Sequence, residues 1–472
     1  FQAEDGIRDV ERSRGLGDVY KRQAETNSIP VGIIERIEVI KGPASSIWGS
    51  SLGGVVNIIT KPAGTNKELT GTIRASFGER NTQDYQAQVS GKAESVRYYL
   101  YAGYQYSDGL KASRDFDNYS LYSKFNLPIS KKLNFQLTLG YSEPDVTVGD
   151  FPSLDISQEG KSRTFFATAS LNASLTRGLN LAVKFHHFKQ KSNLRSDVLG
   201  MGFYGPRGSL FLSTLYDEET SGGSWKLNWS HKFHTAVLGM DFDYGRLAQR
   251  LKAGPFLQLI GAPPILSTHP NLDKWAIYAN DTISFNRWSI TPGIRYDHDS
   301  VTASFISPSL GVTYQMGKDS ILRASIARGF TIPPLSWSSG GALFLAPNPS
   351  LDPEEVWSYQ IGAESAALKY IWIKATFFRH ELDDTFNMEF GGAGPPTFYN
   401  MVVNKGESRR QGLEIEAETI PFHNFTLRAG FAYVHLTPKS ETEQKDLYEY
   451  TISLRYDDKK SFSAALFGHY MW

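Results

Sequence analysis

The stretch Ile34-Glu35-Arg36-Ile37-Glu38-Val39-Ile40-Lys41-Gly42-Pro43, taken with Gly53-Gly54-Val55-Val56-Asn57-Ile58-Ile59-Thr60-Lys61, governs the reading of the whole chain. Two β-branched runs, suited to a pleated surface, flank a centre rich in Gly and Ser. Gly42-Pro43 ends the first run, because proline cannot donate to a strand ladder. Gly49, Gly53 and Gly54 allow tight backbone approach where the segment folds back. The expected unit is a hairpin of residues 36–40 against 55–59.

Downstream, the hydrophobic period is two. Leu69, Gly71, Ile73, Ala75 and Phe77 alternate with Thr70, Thr72, Arg74 and Ser76. The same alternation recurs from Val96 to Tyr106, Leu133 to Tyr141, Trp288 to Tyr296, Phe425 to Tyr433 and Tyr448 to Tyr456. Segments of about ten residues with one apolar and one polar face suit a lipid-facing barrel with a wet interior. A β-sandwich gives the same alternation, and connection lengths separate the two. Short turns at 128–132, 176–178, 286–287, 317–319 and 457–460 alternate with long loops at 143–163, 191–223, 245–272, 329–353 and 380–410. A membrane barrel predicts that asymmetry and a soluble sandwich does not. The first connection is expected to be one of the long loops. About nineteen strands are expected, an odd number that cannot close an antiparallel barrel.

Composition agrees. The 472 residues carry 24 Tyr, 29 Phe and 9 Trp, as aromatic girdles require. Formal net charge is zero, which argues against nucleic acid as a partner. Without cysteine, disulfide scaffolds and thiolate metal sites are excluded. No apolar run reaches the eighteen or so residues of a membrane-spanning helix.

The order Glu-Arg-Ile-Glu-Val, Gly-Pro-Ala and Gly-Gly-Val-Val-Asn-Ile-Ile-Thr-Lys resembles the end of the plug domain of TonB-dependent outer-membrane receptors. Its plug-motif positions are Glu35, Arg36, Glu38, Gly42, Pro43, Gly49, Gly53, Gly54 and Asn57. Trp48 stands where Tyr is commoner. Further echoes lie at 275–281 with Pro292-Gly293-Ile294-Arg295-Tyr296-Asp297, at Gly329-Phe330-Thr331-Ile332-Pro333, at 348–354, and at Asn404-Lys405-Gly406 with Gly412-Leu413-Glu414-Ile415-Glu416. The resemblance implies an all-β fold, a transmembrane antiparallel barrel of the type with about twenty-two strands, with the remnant of an N-terminal plug. Residues 24–64 would be the end of the plug and 65–472 a barrel truncated at its C-terminal side. Residues 1–23 look like translated sequencing-adapter DNA, so the signal peptide and TonB box are expected to lie upstream.

The function implied is energy-coupled uptake of a scarce nutrient, a ferric siderophore or cobalamin, with no catalytic residue, no cofactor and no bound metal. The implied partners are the inner-membrane TonB complex, outer-membrane lipid and a small chelate or vitamin, in a monomer. Related ferric-siderophore receptors place an aromatic at the position of Trp48 on the apical surface, facing ligand; packing against the barrel wall is the competing reading. Trp337, Phe344, Phe398 and Tyr399 are further ligand candidates, since loop aromatics can enclose a hydrophobic chelate. Haem receptors carry a His in the loop corresponding to 334–347, and there is none here.

Other readings are a passive pore, a haem, metal-complex or glycan receptor, and an outer-membrane enzyme or adhesin. Gly49-Ser50-Ser51-Leu52-Gly53 fits the nucleophile-elbow pattern, but the β-branched run after it opposes the helix an elbow needs. His186-His187 and His231 with His234 lack further ligands at metal spacing. Arg409-Arg410 and Lys131-Lys132 read as solvated turns or lipid-headgroup contacts.

Overall fold

The computed structural model describes residues 28–111, 113–200, 202, 204–392, 399–437 and 445–472. The stretch 1–23 lies outside them. Among the described residues, nineteen long strands form the wall of a barrel, running from Thr70–Gly78 to Ser463–Met471. Each pairs antiparallel with the next. A short strand, Ile265–Thr268, lies along residues 249–252 at one end. Because the count of wall strands is odd, Ser463–Met471 and Thr70–Gly78, neighbours in the ring order, run the same way. No residue-by-residue register joins them among the described residues. Side chains of both faces are exposed there, Ile73 by 88%, Leu466 by 73% and Phe467 by 69%.

The period-two pattern sorts the two faces as the sequence implies. Ile277, Ile294, Ile361, Phe377 and Ile452 point outward and are exposed, while Lys124, Glu218, Asp241, Arg295 and Ser307 are buried inside. A polar interior under an apolar exterior is stable only when lipid covers the outside.

One end carries nine turns of two to five residues, at 94–95, 131–132, 177–178, 232–233, 286–287, 316–319, 369–370, 420–424 and 458–462. The other end carries the long connections, up to 384–407. Two expectations change here. The first connection, 79–81, is a tight turn with Arg80 and Asn81 in the left-handed region (φ 55 and 53°) rather than a long loop. Most of 143–163 and 191–223 is strand. Leu133–Phe151, Ile156–Thr176, Leu179–Val198, Leu210–His231 and His234–Ala253 each run 19 to 22 residues. A tilted strand spans a membrane in about ten, so these walls project beyond it. Their outer faces are laced by ion pairs such as Arg163–Glu143 at 2.7 Å and Lys191–Asp217 at 2.9 Å. Such polar alternation reads as loop in sequence.

Candidate plug latch and ligand mouth

The hairpin forms as expected, slightly longer: Ile34–Lys41 pairs antiparallel with Gly54–Thr60. Glu38 sits opposite Asn57, whose amide donates to its carboxylate at 3.1 Å. Arg36 bonds the same carboxylate group at 2.8 Å and lies 3.8 Å from Glu35. Gly42 turns the chain at φ +80°, and its N–H donates to the Gly53 carbonyl. A one-turn helix, Ser45–Trp48, follows Pro43 and is ended by Gly49 at φ +75°. Gly54, at φ +133°, is where a Cβ would lie 2.3 Å from the Ile40 carbonyl oxygen. Gly53 differs from the expectation, since a Cβ there would meet nothing within 4 Å. Its backbone carbonyl matters, and its lack of a side chain does not.

The hairpin crosses the lumen and is fixed at both ends. At its base Thr60 Oγ1 lies 2.5 Å from Lys124 Nζ and 2.9 Å from the Tyr122 hydroxyl. Lys124 is only 1% exposed, so Thr60 supplies hydrogen-bonding that a buried ammonium requires. Ile33 packs with Tyr99, Tyr101 and Tyr122 beside it. At the tip, Ser309 Oγ donates to Ser46 Oγ at 2.9 Å, the Phe330 N–H to Ser45 Oγ at 3.4 Å, and Ser50 Oγ lies 3.3 Å from Thr331 Oγ1. Gly329 lets Pro43 in: a Cβ at 329 would come within 2.5 Å of the Pro43 ring. Lys41 Nζ meets Glu414 Oε2 at 2.6 Å on another part of the wall.

Arg295 is the buried centre of the tip contacts. It is 2% exposed, paired with Asp241 at 2.8 Å and Asp297 at 2.9 Å, and lies 5.0 Å from the centre of the Tyr278 ring. The Nη1 that meets Asp241 also donates to the Ile47 carbonyl at 3.5 Å, and Nη2 would stand 3.2 Å from a Cβ on Gly49. A wall cation thus holds a plug backbone carbonyl.

Above the tip, the connections 332–353 and 384–407 are joined. Leu345–Ala346, Tyr399–Asn404 and Phe386–Gly392 make a small three-stranded sheet. Asn404 exchanges two hydrogen bonds with the Asp352 backbone, and Gln249 donates to the Gly341 carbonyl at 2.6 Å. Phe305, Phe330, Ile332, Leu335, Leu247 and Leu272 form an apolar cluster at this end.

The candidate aromatics do not converge on one spot. Trp48 is half-buried in the tip helix, which packs on the wall strands from Asn271–Phe285 to Ser320–Thr331. Trp337 meets Phe386 edge-on at 5.5 Å, so it joins the two connections. Phe344 packs against Ala253, Leu257 and Ala262 with φ 58°, an uncommon value for a bulky residue. Tyr399 opens its strand, and Phe398 lies outside the described residues. Ser51 accepts from the Ala44 N–H at 3.2 Å, and the strand Gly54–Thr60 follows it where an elbow needs a helix. His186 Nε2 is 3.0 Å from Asp243, while His187 faces the other way beside Ser221. His231 and His234 stack on Trp229. Lys41, Thr60, Lys124, Asp241, Arg295 and Glu414 were not singled out as functional from sequence. Arg295 and Glu414 lay within motif echoes, and their partners are hundreds of residues away or on another strand.

Comparison with known proteins fits this geometry. The family model "TonB dependent receptor-like, beta-barrel" matches residues 147–468, and "TonB-dependent Receptor Plug Domain" matches 4–55. The ferric enterobactin receptor of Pseudomonas aeruginosa is 23% identical over 359 residues, 66% of this chain and 48% of that one. The vitamin B12 transporter BtuB of Vibrio vulnificus is 25% identical over 414 residues, 84% of this chain and 61% of that one. The chain therefore spans about half to three-fifths of the length of these relatives. Among solved structures, the siderophore receptor PirA from Pseudomonas aeruginosa shares the fold with TM-score 0.70 and 21% identity, over 96% of this chain and 82% of that chain. A ferric enterobactin receptor mutant from the same organism, in complex with enterobactin, gives TM-score 0.74 at 18% identity, over 94% and 74%. With a barrel model matched over most of its length and a plug model before it, the chain belongs to the TonB-dependent receptor family of the Gram-negative outer membrane.

Proposed function

We propose that this chain takes part in gated uptake of a ferric siderophore or cobalamin, driven by the TonB complex of the inner membrane. The observation that carries the reading is the plug hairpin inside the lumen, held to the wall by separate polar contacts: Lys41–Glu414, Ser46–Ser309, Thr60–Lys124 and Arg295 on Ile47. Such contacts can be broken one by one and remade. A packed apolar plug–wall interface would resist movement. A ligand that binds better when the tip is displaced shifts the plug by that difference in affinity.

Relatives named for ferric enterobactin and vitamin B12 support the two ligand classes. The reading is of a transporter: the ligand passes unchanged, and the side chains hold and release it. Trp48, half-exposed at the tip, is the proposed contact for a ligand arriving from the loop end. The test is direct binding of ferric catecholates, ferric hydroxamates and cobalamin to the purified chain by intrinsic fluorescence. Sub-micromolar binding of one class, weakened at least tenfold by Trp48→Ala, is expected. Failure of every chelate and of cobalamin to bind overturns the proposal. Steady large conductance of the intact chain in liposomes would favour an open pore.

A further inference from the structure

We propose that the periplasmic rim of the barrel is a docking surface for anionic phospholipid headgroups of the inner leaflet. Seven of the nine short turns carry exposed cations, among them Lys131, Lys132, Lys232, Lys369, Lys459 and Lys460. With Arg177, Arg287 and Lys318 they make nine cations, against three carboxylates in the nine turns, Glu94, Asp319 and Asp458. The chain as a whole has zero net charge, so this excess belongs to one end. Asp458 is turned to its own backbone, accepting from the N–H groups of Lys460, Ser461 and Phe462.

The cations at the two ends of the wall behave differently. On the projecting outer walls at the loop end, Lys161, Arg163, Lys189, Lys191, Arg195 and Arg246 each have a carboxylate partner within 3.3 Å. Among the described residues, no ion pair engages the nine turn cations; Lys369 instead lies 5.2 Å from the centre of the Tyr370 ring. Next to these turns runs an exposed aromatic belt: Trp229, Phe233, Phe285, Trp288, Tyr370 and Phe462. Trp288 packs on Tyr314 at 4.6 Å and Phe462 on Tyr456 at 5.9 Å.

Aromatic rings of this kind settle at the headgroup level. The belt therefore sets the depth of the turns, and lysines one or two residues beyond it stand where phosphates lie. Long side chains reach that layer while their stems stay against the apolar belt. Nine unpaired cations at one depth attract anionic headgroups over zwitterionic ones, with a strength that salt screens.

The test uses the purified chain in mixed micelles, reading quenching of tryptophan by dibrominated phosphatidylglycerol against dibrominated phosphatidylcholine. Trp229 and Trp288 report from this rim. A preference for the anionic lipid of several-fold to about tenfold at low salt, falling toward unity near 1 M, is expected. The combined variant K131Q, K132Q, K232Q, K369Q, K459Q and K460Q should abolish the preference. Changing R80Q, K111Q and R207Q at the opposite rim should leave it intact. The salt titration needs only the unaltered chain, so it decides even if the six-site variant does not fold. Equal quenching by the two lipids at low salt overturns the proposal, as does a preference that survives the six changes. Binding to isolated peptidoglycan without any lipid preference would assign the collar to a different occupant and equally overturn it.

Discussion

Lys41 Nζ and Glu414 Oε2 lie 2.6 Å apart although 373 residues separate them in the chain, and they tie the plug hairpin to a wall strand across the lumen. Their side chains are 63% and 25% exposed, so solvent screens the pair. Its value is as a movable tie, on the order of 0.2–1 kcal/mol. Lys41→Met is expected to leave the melting temperature of the barrel nearly unchanged. It should speed hydrogen exchange of the hairpin amides between 34 and 60. The charge-reversed pair, Lys41→Glu with Glu414→Lys, should restore slow exchange. If Lys41→Met leaves hairpin exchange as it was, the contact does not hold the plug.

Two adjacent glycines should behave in opposite ways. Gly54 has φ +133° and a Cβ there would press on the Ile40 carbonyl, a backbone atom that cannot step aside without breaking the pairing. Gly54→Ala is expected to cost about 1–3 kcal/mol in hairpin stability. Gly53→Ala meets open space and should fall within about 0.5 kcal/mol of the parent. Exchange rates at residues 37–40 and 55–58 measure both. Equal effects from the two substitutions would show that the turn is set by something other than the Gly54 conformation.

The hairpin and the wall strands were legible because each depends on local pattern: β-branched runs, a Gly-Pro stop, period-two alternation. The projecting walls were not. Glu143, Asp145, Lys161 and Arg163 look like loop residues, yet in the structure they alternate outward and pair across strands beyond the membrane. The turn 79–81 escaped for the opposite reason: Arg80 and Asn81 adopt left-handed backbone where no glycine marks it. The latch was the least legible part. Nothing near Lys41 points to Glu414, and Arg295 acquires its role only when the barrel brings Asp241 and Ile47 beside it.

The turn at 458–462 offers a pH readout outside the membrane. Three backbone N–H groups, from Phe462, Lys460 and Ser461, hold the Asp458 carboxyl down from 3.8 to about 2. A lowered folded-state value means the contribution is present above the unfolded value near 3.8 and is lost as pH falls through about 2. Amide signals of residues 460–462 should therefore stay constant from neutral pH to about 4 and shift only in strong acid. Asp458→Asn, which keeps one acceptor oxygen and no charge, should remove that acid transition. A midpoint near 4 in the parent chain would contradict the capping geometry.

Arg295 should be the costliest single position at the latch. Its guanidinium is 2% exposed and neutralises Asp241 and Asp297, whose side chains are 6% and 17% exposed. Removing one partner of a buried cluster strands the others, so Arg295→Met should destabilise by about 3–5 kcal/mol. The triple change Arg295→Met, Asp241→Asn and Asp297→Asn removes the charges together and should recover much of that loss, because no ion is left without a partner. The two variants separate stability from latching. Both lose the donor to the Ile47 carbonyl, so both should expose the tip at 44–50 to limited proteolysis faster than the parent does. Thermal unfolding by circular dichroism and tip cleavage are thus expected to diverge in the triple variant. Recovery of both together would mean that Arg295 serves the wall alone.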